Sequence, residues 1–464
     1  MTINSRIINI LLCLLLTTSC AVKDTEIKGI ELTLIPPSTI TNKVNLDIRA
    51  GIVNHENEVR DLKVSIYLNT EKPASLLSFS QITINPGEAQ SVKYDMETAD
   101  KVGKNKIILV VQEGKKKHVE IKEIEIIESD IRSNRQIDGA WAGIYHWSEK
   151  EGKHWNKDIQ KMTDNQWREL VRSMHKVKMD IIVIQEVFRN EIYVGKHDQT
   201  VESYQGKAFY PSDLYTERMP ITASDPIEAI LSEAAKNQMH VFMGVGMFAW
   251  FDFTEESLEW HKNVARELWE KYGHHPSFYG FYVSEESGGG LDNWEPTEEK
   301  RLQRKTDIVN FFAEFKRFCN QMAPSKPVML ATNSMDVPNG LDTYPALLQN
   351  LDILCPFGFA RMPEGDLTGK EAADLLQKLC DEAGSHLWFD LEVFLFNEDQ
   401  SLYPRPLDEI IHDLTLFDNF EKILCYQFPG VFNDPEMSIR VGEERTIELF
   451  EGYRNYLKEL KNKK

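Results

Sequence analysis

Residues 278–290 read FYGFYVSEESGGG. An apolar run ends in two adjacent carboxylates, Glu285 and Glu286, and then passes into three glycines, which predicts a strand that delivers acids to an open loop. Further along, residues 386–396 (HLWFDLEVFLF) repeat the design with Asp390 and Glu392. Two strands that each end in carboxylates decide the fold only if the intervening chain brings them together.

Outward from these two stretches, short apolar runs alternate with amphipathic segments of helical period, the pattern of repeated β/α units around a parallel sheet. The predicted strands are Gly139–Trp147, Met179–Phe188, His240–Phe248, Phe278–Glu286, Val328–Asn333, Leu351–Phe357, Leu387–Phe394 and Ile423–Phe428. Between them, Thr163 with Gln166 forms a capping box, and Asp225-Pro226 with Glu228 opens another helix. Further helices are expected over Glu255–Tyr272, Thr297–Gln321, Lys370–Glu382, Leu407–Phe417 and Glu443–Leu460. The segment after the fifth strand is short and its helix weak. The fold class is α/β, a (β/α)8 TIM barrel over residues 137–462.

Residues 27–128 have a different period. Val44, Leu46, Ile48, then Leu62, Val64, Ile66, Leu68, then Ile107, Leu109, Val111 alternate with polar residues. About seven short strands separated by turn chemistry predict a β-sandwich, and IVNHENEVRDLKVSIYLN resembles bacterial immunoglobulin-like accessory modules. Glu128–Gln136 (ESDIRSNRQ) is polar and aperiodic, a linker, so a chain beginning near Ser133 is expected to fold alone. Residues 1–20 carry Arg6, an apolar run too short to span a bilayer, and Thr17-Thr18-Ser19-Cys20, which resembles a lipoprotein signal with Thr17 in the place usually held by Leu or Val. The expected outcome is lipidation of Cys20 and a place in the bacterial cell envelope, as an outer-membrane or periplasmic lipoprotein touching membrane only through its anchor.

The 464-residue chain has 53 basic and 73 acidic side chains, a formal charge of -20. Such a balance repels phosphate backbones, so nucleic acid is not an expected partner. No CxxC spacing occurs, and His146 is followed at the second place by Ser148 rather than a second His. Neither a metal nor a cofactor is expected.

In a barrel of this kind, acids at the C-terminal strand ends face one cleft, and strand parity sorts them. Phe281 and Val283 would face the helices, leaving Tyr282, Ser284 and Glu286 inside. Leu387, Phe389, Leu391 and Val393 would likewise turn Asp390 and Glu392 inward. Glu186 ends the second strand, and Glu285 is the alternative to Glu286. Paired carboxylates suit acid/base work on a glycosidic bond. The aromatic and polar residues Tyr145, His146, Trp147, Trp250, Tyr282, Asn333, Tyr426 and Gln427 are candidate contacts for sugar rings and hydroxyls.

GFYVSEE, WFDLEVF and GAWAGIYHW with WRELVRSMHKVKMDIIVIQE resemble a bacterial family of unknown function described as candidate glycoside hydrolases. An acid at the end of strand four and another at the end of strand seven also resembles the clan A glycoside hydrolases. That resemblance implies a (β/α)8 barrel acting with retention on an oligo- or polysaccharide, with Glu286 as acid/base and Glu392 as nucleophile. From its place beside Glu392, Asp390 is expected to orient a neighbour. Clan A enzymes usually place Asn before the acid/base, and here Glu285 stands there. The alternative is a non-catalytic glycan-binding surface lipoprotein on the same scaffold.

Overall fold

The computed structural model describes residues 27–189 and 200–462; the signal segment 1–20 and Cys20 lie outside the described residues. Eight parallel strands close into a barrel: β1 Gly139–Ala142, β2 Ile181–Ile184, β3 His240–Gly244, β4 Phe278–Ser287, β5 Val328–Thr332, β6 Ile353–Leu354, β7 His386–Glu392 and β8 Lys422–Tyr426. Sequence neighbours are neighbours around the ring, and β8 returns to β1 with Leu424 opposite Gly139. Most paired strands end sooner than their apolar runs do. The apolar residues beyond them, such as Ile144, Phe188 and Phe248, are buried in the loops at the C-terminal end.

The helices longer than four residues are α1 Asp164–Lys176, α2 Pro226–Lys236, α3 Glu255–Tyr272, α4 Glu298–Met322, α5 Tyr344–Leu348, α6 Gly369–Ala383, α7 Leu407–Leu416 and α8 Arg445–Asn462. Thr163 and Gln166 form the expected capping box, and Asp225 accepts from the Glu228 amide ahead of Pro226 at the helix start. The weak segment after β5 contains a 3-10 turn, Val337–Gly340, and the five-residue α5. The barrel closes there regardless, because β5 and β6 pair through Met329 with Ile353 and Leu330 with Leu354.

Strand parity divides the apolar residues into two cores. Val241, Met243, Phe281, Val283, Leu387, Phe389 and Leu391 pack under the helices, while Trp141, Ile181, Val183, Phe242, Tyr282, Met329 and Trp388 fill the barrel.

Residues 27–127 form a β-rich unit of two sheets. One has the order Ile30–Ile35, Leu46–Val53, Ala89–Met96; the other runs Ile40–Thr41, Lys116–Ile127, Gly103–Glu113, Arg60–Leu68, Leu76–Ile84. The alternating residues named from the sequence, among them Leu46, Ile48, Leu62, Val64, Leu109 and Val111, meet in one apolar core.

This unit is seated on the N-terminal end of the barrel. Ile35 belongs to the interior core with Phe242 and Tyr279, and Tyr279 donates its hydroxyl hydrogen to the Leu34 carbonyl at 2.7 Å. Around that plug, Arg49 pairs with Asp352 at 2.7 Å, and Lys316 also reaches Asp352 at 2.7 Å. His386 lies between Glu421 at 2.7 Å and Asp47 at 3.8 Å. The polar segment 128–136 is held as well: Arg132 grips Asp381 with two hydrogen bonds, and the Ser133 amide donates to Asp418. Cys319, Cys355, Cys380 and Cys425 are free and buried. No helix among the described residues is long and apolar enough to cross a membrane.

Candidate active site

A cavity of about 310 Å³ opens at the C-terminal end of the strands. The carboxylates reach it because of local irregularity as much as parity. Between Val283 and Ser287, β4 carries more residues than the facing part of β5, a bulge, and a bulge re-aims side chains. Glu286 lines the cavity. Glu285 is fully buried and turned toward the loop after β3, where its Oε1 accepts from the amides of Phe248 at 2.9 Å and Ala249 at 3.1 Å.

The three glycines after β4 are not an open loop. They are buried, and none has a positive φ. A Cβ on Gly289 would lie 2.2 Å from the Met335 carbonyl oxygen, so glycine serves close approach of two backbones rather than a left-handed turn. The next residues are the strained ones: Leu291, Asn293 and Trp294 have φ of 59°, 51° and 53°, and Phe251 in the loop after β3 has 61°. Non-glycine residues in this region are uncommon and concentrate at functional sites. Asn293 joins the two loops, donating to the Phe251 carbonyl and accepting from the Gly288 amide. The result is an aromatic wall in which Trp147, Trp250, Phe251 and Trp294 touch in series.

Glu286 and Glu392 sit in unlike environments. Burial pushes the Glu286 carboxyl up to about 7, although the hydrogen bond from Trp250 Nε1 at 3.1 Å and the charge of Arg361 favour its ionised form. Glu392 is gripped by Arg361, with Nε at 2.9 and 3.1 Å from its two oxygens and Nη2 at 2.8 Å. Asp390 lies beside them, buried and raised well above the usual range by burial and then by the charges of Glu392 and Glu286. Glu151, in the loop after β1, is pushed up to about 7 by burial and by Glu286. The Ser148 amide donates to His146 Nδ1 at 3.1 Å. The same nitrogen lies 3.2 Å from the Ser148 carbonyl oxygen, and Nε2 faces Glu151 at 3.5 Å.

Of the residues named from the sequence, Glu286, Glu392, Asp390, His146, Trp147, Trp250, Tyr282, Asn333 and Tyr426 line the cavity. Four do not. Besides Glu285, Glu186 is buried in an ion pair with Arg189 at 3.3 Å, and that guanidinium stacks 4.8 Å over Tyr145. Gln427 turns back to donate to the Pro429 carbonyl at 3.0 Å. These residues support the loops from behind. One group of metal-ligating side chains comes together among the described residues, Glu228 with His274 and His275. It precedes β4, at the end of the barrel away from the cavity, and His275 is hydrogen-bonded to Glu228 at 2.8 Å.

Residues 137–438 match a domain of unknown function, DUF4434. The chain belongs to this family. No curated protein sequence matches it. Among solved structures, the chain is similar to a candidate alpha-L-fucosidase of Bacteroides thetaiotaomicron, with 16% identity, a TM-score of 0.51, and coverage of 71% of this chain and 96% of that one. It is also similar to a beta-glucuronidase of Bacteroides uniformis, with 14% identity, a TM-score of 0.43, and coverage of 92% of this chain and 50% of that one. The first likeness supports the barrel fold.

Within the DUF4434 domain, sequence reasoning missed Glu151, Gln185 and Arg361, all of which line the cavity. Gln185 shares the face of Ile181 and Val183, which fill the barrel, while Glu186 shares that of Ile182 and Ile184, which pack under the helices, so of these two neighbours Gln185 is the one that reaches the cavity. Glu151 and Arg361 lie in short 3-10 turns, Glu151–His154 and Phe359–Arg361, which have no periodicity to read.

Proposed function

We propose that the DUF4434 domain of this chain hydrolyses glycosidic bonds with retention, using Glu286 as acid/base and Glu392 as nucleophile. The observation that carries this reading is the unequal surroundings of two carboxyl groups in one cavity: burial favours a proton on Glu286, and Arg361 reaches both oxygens of Glu392. Environments that separate two carboxyls in this way assign the acid and the base. In the first step Glu392 attacks the anomeric carbon as the C–O bond to the leaving group breaks, and Glu286 gives its proton to the departing oxygen. In the second, Glu286 takes a proton from water, the water oxygen attacks the same carbon, and the bond to Glu392 breaks. Asp390 orients Glu392, and the aromatic wall stacks on sugar faces. Hydrolysis of a cleaved substrate followed by proton NMR should show the product released first with the anomeric configuration of the substrate; initial release of the opposite anomer would exclude the covalent route.

The remaining parts fit an exported glycan-acting lipoprotein of the cell envelope. The order of the two sheets in residues 27–127, with Ile40–Thr41 pairing parallel to Lys116–Ile127, supports an immunoglobulin-like β-sandwich as an accessory domain, followed by a barrel domain over 137–462. Cys20 would carry the lipid, since each acyl CH2 buried in a membrane contributes about 0.8 kcal/mol. Cys20→Ser is expected to move the protein from the membrane fraction to the soluble fraction; unchanged fractionation removes the anchor.

A further inference from the structure

The cavity contains two buried side chains with unmet hydrogen-bonding needs. Gln185 and Asp390 line it with 4% and 5% of their surface exposed, and neither Gln185 Oε1 nor Asp390 Oδ1 has a hydrogen-bond partner. Buried polar atoms are rarely left unpaired, so each such atom calls for an explanation, and a ligand is one. A sugar hydroxyl both donates and accepts, and so satisfies an amide or a carboxyl in either orientation.

Charge narrows the sugar further. Apart from Tyr282 and Tyr426, the ionisable lining consists of Glu151, Glu286, Asp390, Glu392, His146 and Arg361 among the described residues. Burial holds His146 down to about 3, which keeps it neutral. Arg361 is the one cation, and both oxygens of Glu392 already occupy it. A carboxylate or sulfate on the ring would have to compete with Glu392 for that guanidinium, and among the described residues the lining offers it no other Lys or Arg. Recognition of such groups ordinarily relies on an available Arg fork.

We propose that the sugar ring held in this cavity is uncharged, bound through hydroxyls to Gln185 and Asp390, and that uronic acids are refused. This deepens the glycosidase reading and rests on the cavity being a glycan site, but binding tests it without turnover. The wild-type protein at pH 7 is titrated by saturation-transfer NMR with glucose, galactose, mannose, fucose, xylose and N-acetylglucosamine, and with glucuronate, galacturonate and mannuronate. At least one neutral sugar should bind, at least tenfold more weakly in Gln185→Leu at an unchanged melting temperature, while no uronate binds through Gln185. Gln185→Met, which keeps the side-chain length and removes the amide, replaces Gln185→Leu if the latter fails to fold. A uronate whose binding depends on Gln185 overturns the proposal, as does the lack of any neutral binder. Neutral sugars that bind through Gln185 in a protein that cleaves no glycoside would leave this inference standing and remove the hydrolase instead.

Discussion

Glu392→Gln is expected to lower turnover by about four orders of magnitude or more on every substrate, because without its carboxylate no group is placed to attack the anomeric carbon. The amide keeps the size of the side chain but loses the bidentate bond to Arg361. Glu286→Gln should behave differently, retaining substrates with activated aryl leaving groups, whose departure needs little protonation, and losing natural glycans. In the wild type, kcat/KM should fall as pH rises through about 7, where Glu286 gives up its proton, and this alkaline limb should vanish in Glu286→Gln with the activated substrate. Glu285→Gln should change neither rate pattern, since Glu285 faces two backbone amides away from the cavity. Full activity in Glu392→Gln would remove the two-carboxylate mechanism, and an inactive Glu285→Gln beside an active Glu286→Gln would exchange their roles.

Arg49→Ala should destabilise the full chain by about 3–5 kcal/mol, the usual loss when one partner of a buried ion pair is removed. Its partner Asp352 is buried, with Lys316 also paired to it and Lys93 acting on it from further off. Lys370→Ala, which removes the exposed pair with Asp374, should cost about 1 kcal/mol or less. Urea unfolding measures both; equal small losses would mean that the N-terminal unit does not stabilise the barrel. The same contact has a pH window. For Asp47 and Asp352 burial pushes upward, but the surrounding cations outweigh it and hold both well below 3.8, so their contribution is present above that pH and lost as pH falls. Burial would lower His386, yet Glu421 and Asp47 raise it to about 10. Its contribution is complete below 6.5 and lost as pH rises through 10. The contact is therefore strongest between about pH 4 and 6.5. A chain beginning near Ser133 would lack Ile35, Asp47 and Arg49. On the polarity of 128–136 it should fold alone; on these contacts it should melt far earlier than the full chain.

Periodicity alone was enough to read the barrel and the β-rich unit before it. Alternation in β4 and β7 is a local property, since each Cβ reverses face at every residue whatever the rest of the chain does, and it put Tyr282, Glu286, Asp390 and Glu392 on the cavity side. The capping residues Thr163 and Asp225 were legible for the same reason: a helix start is satisfied by residues within one turn of it.

Tertiary structure decided everything that depends on residues distant in sequence. Nothing near Glu392 announces Arg361, which arrives from a turn after β6, and nothing near Glu286 announces the indole of Trp250 or the acid of Glu151. The bulge that turns Glu285 under the β3 loop, the close backbone approach that requires Gly289, and the plugging of the barrel by Ile35 are likewise products of assembly. Sequence pattern reports which face a side chain takes, because that follows from backbone geometry. Which charge stands opposite, and hence which carboxyl keeps its proton, is set by burial and distance, and those exist only once the chain has closed.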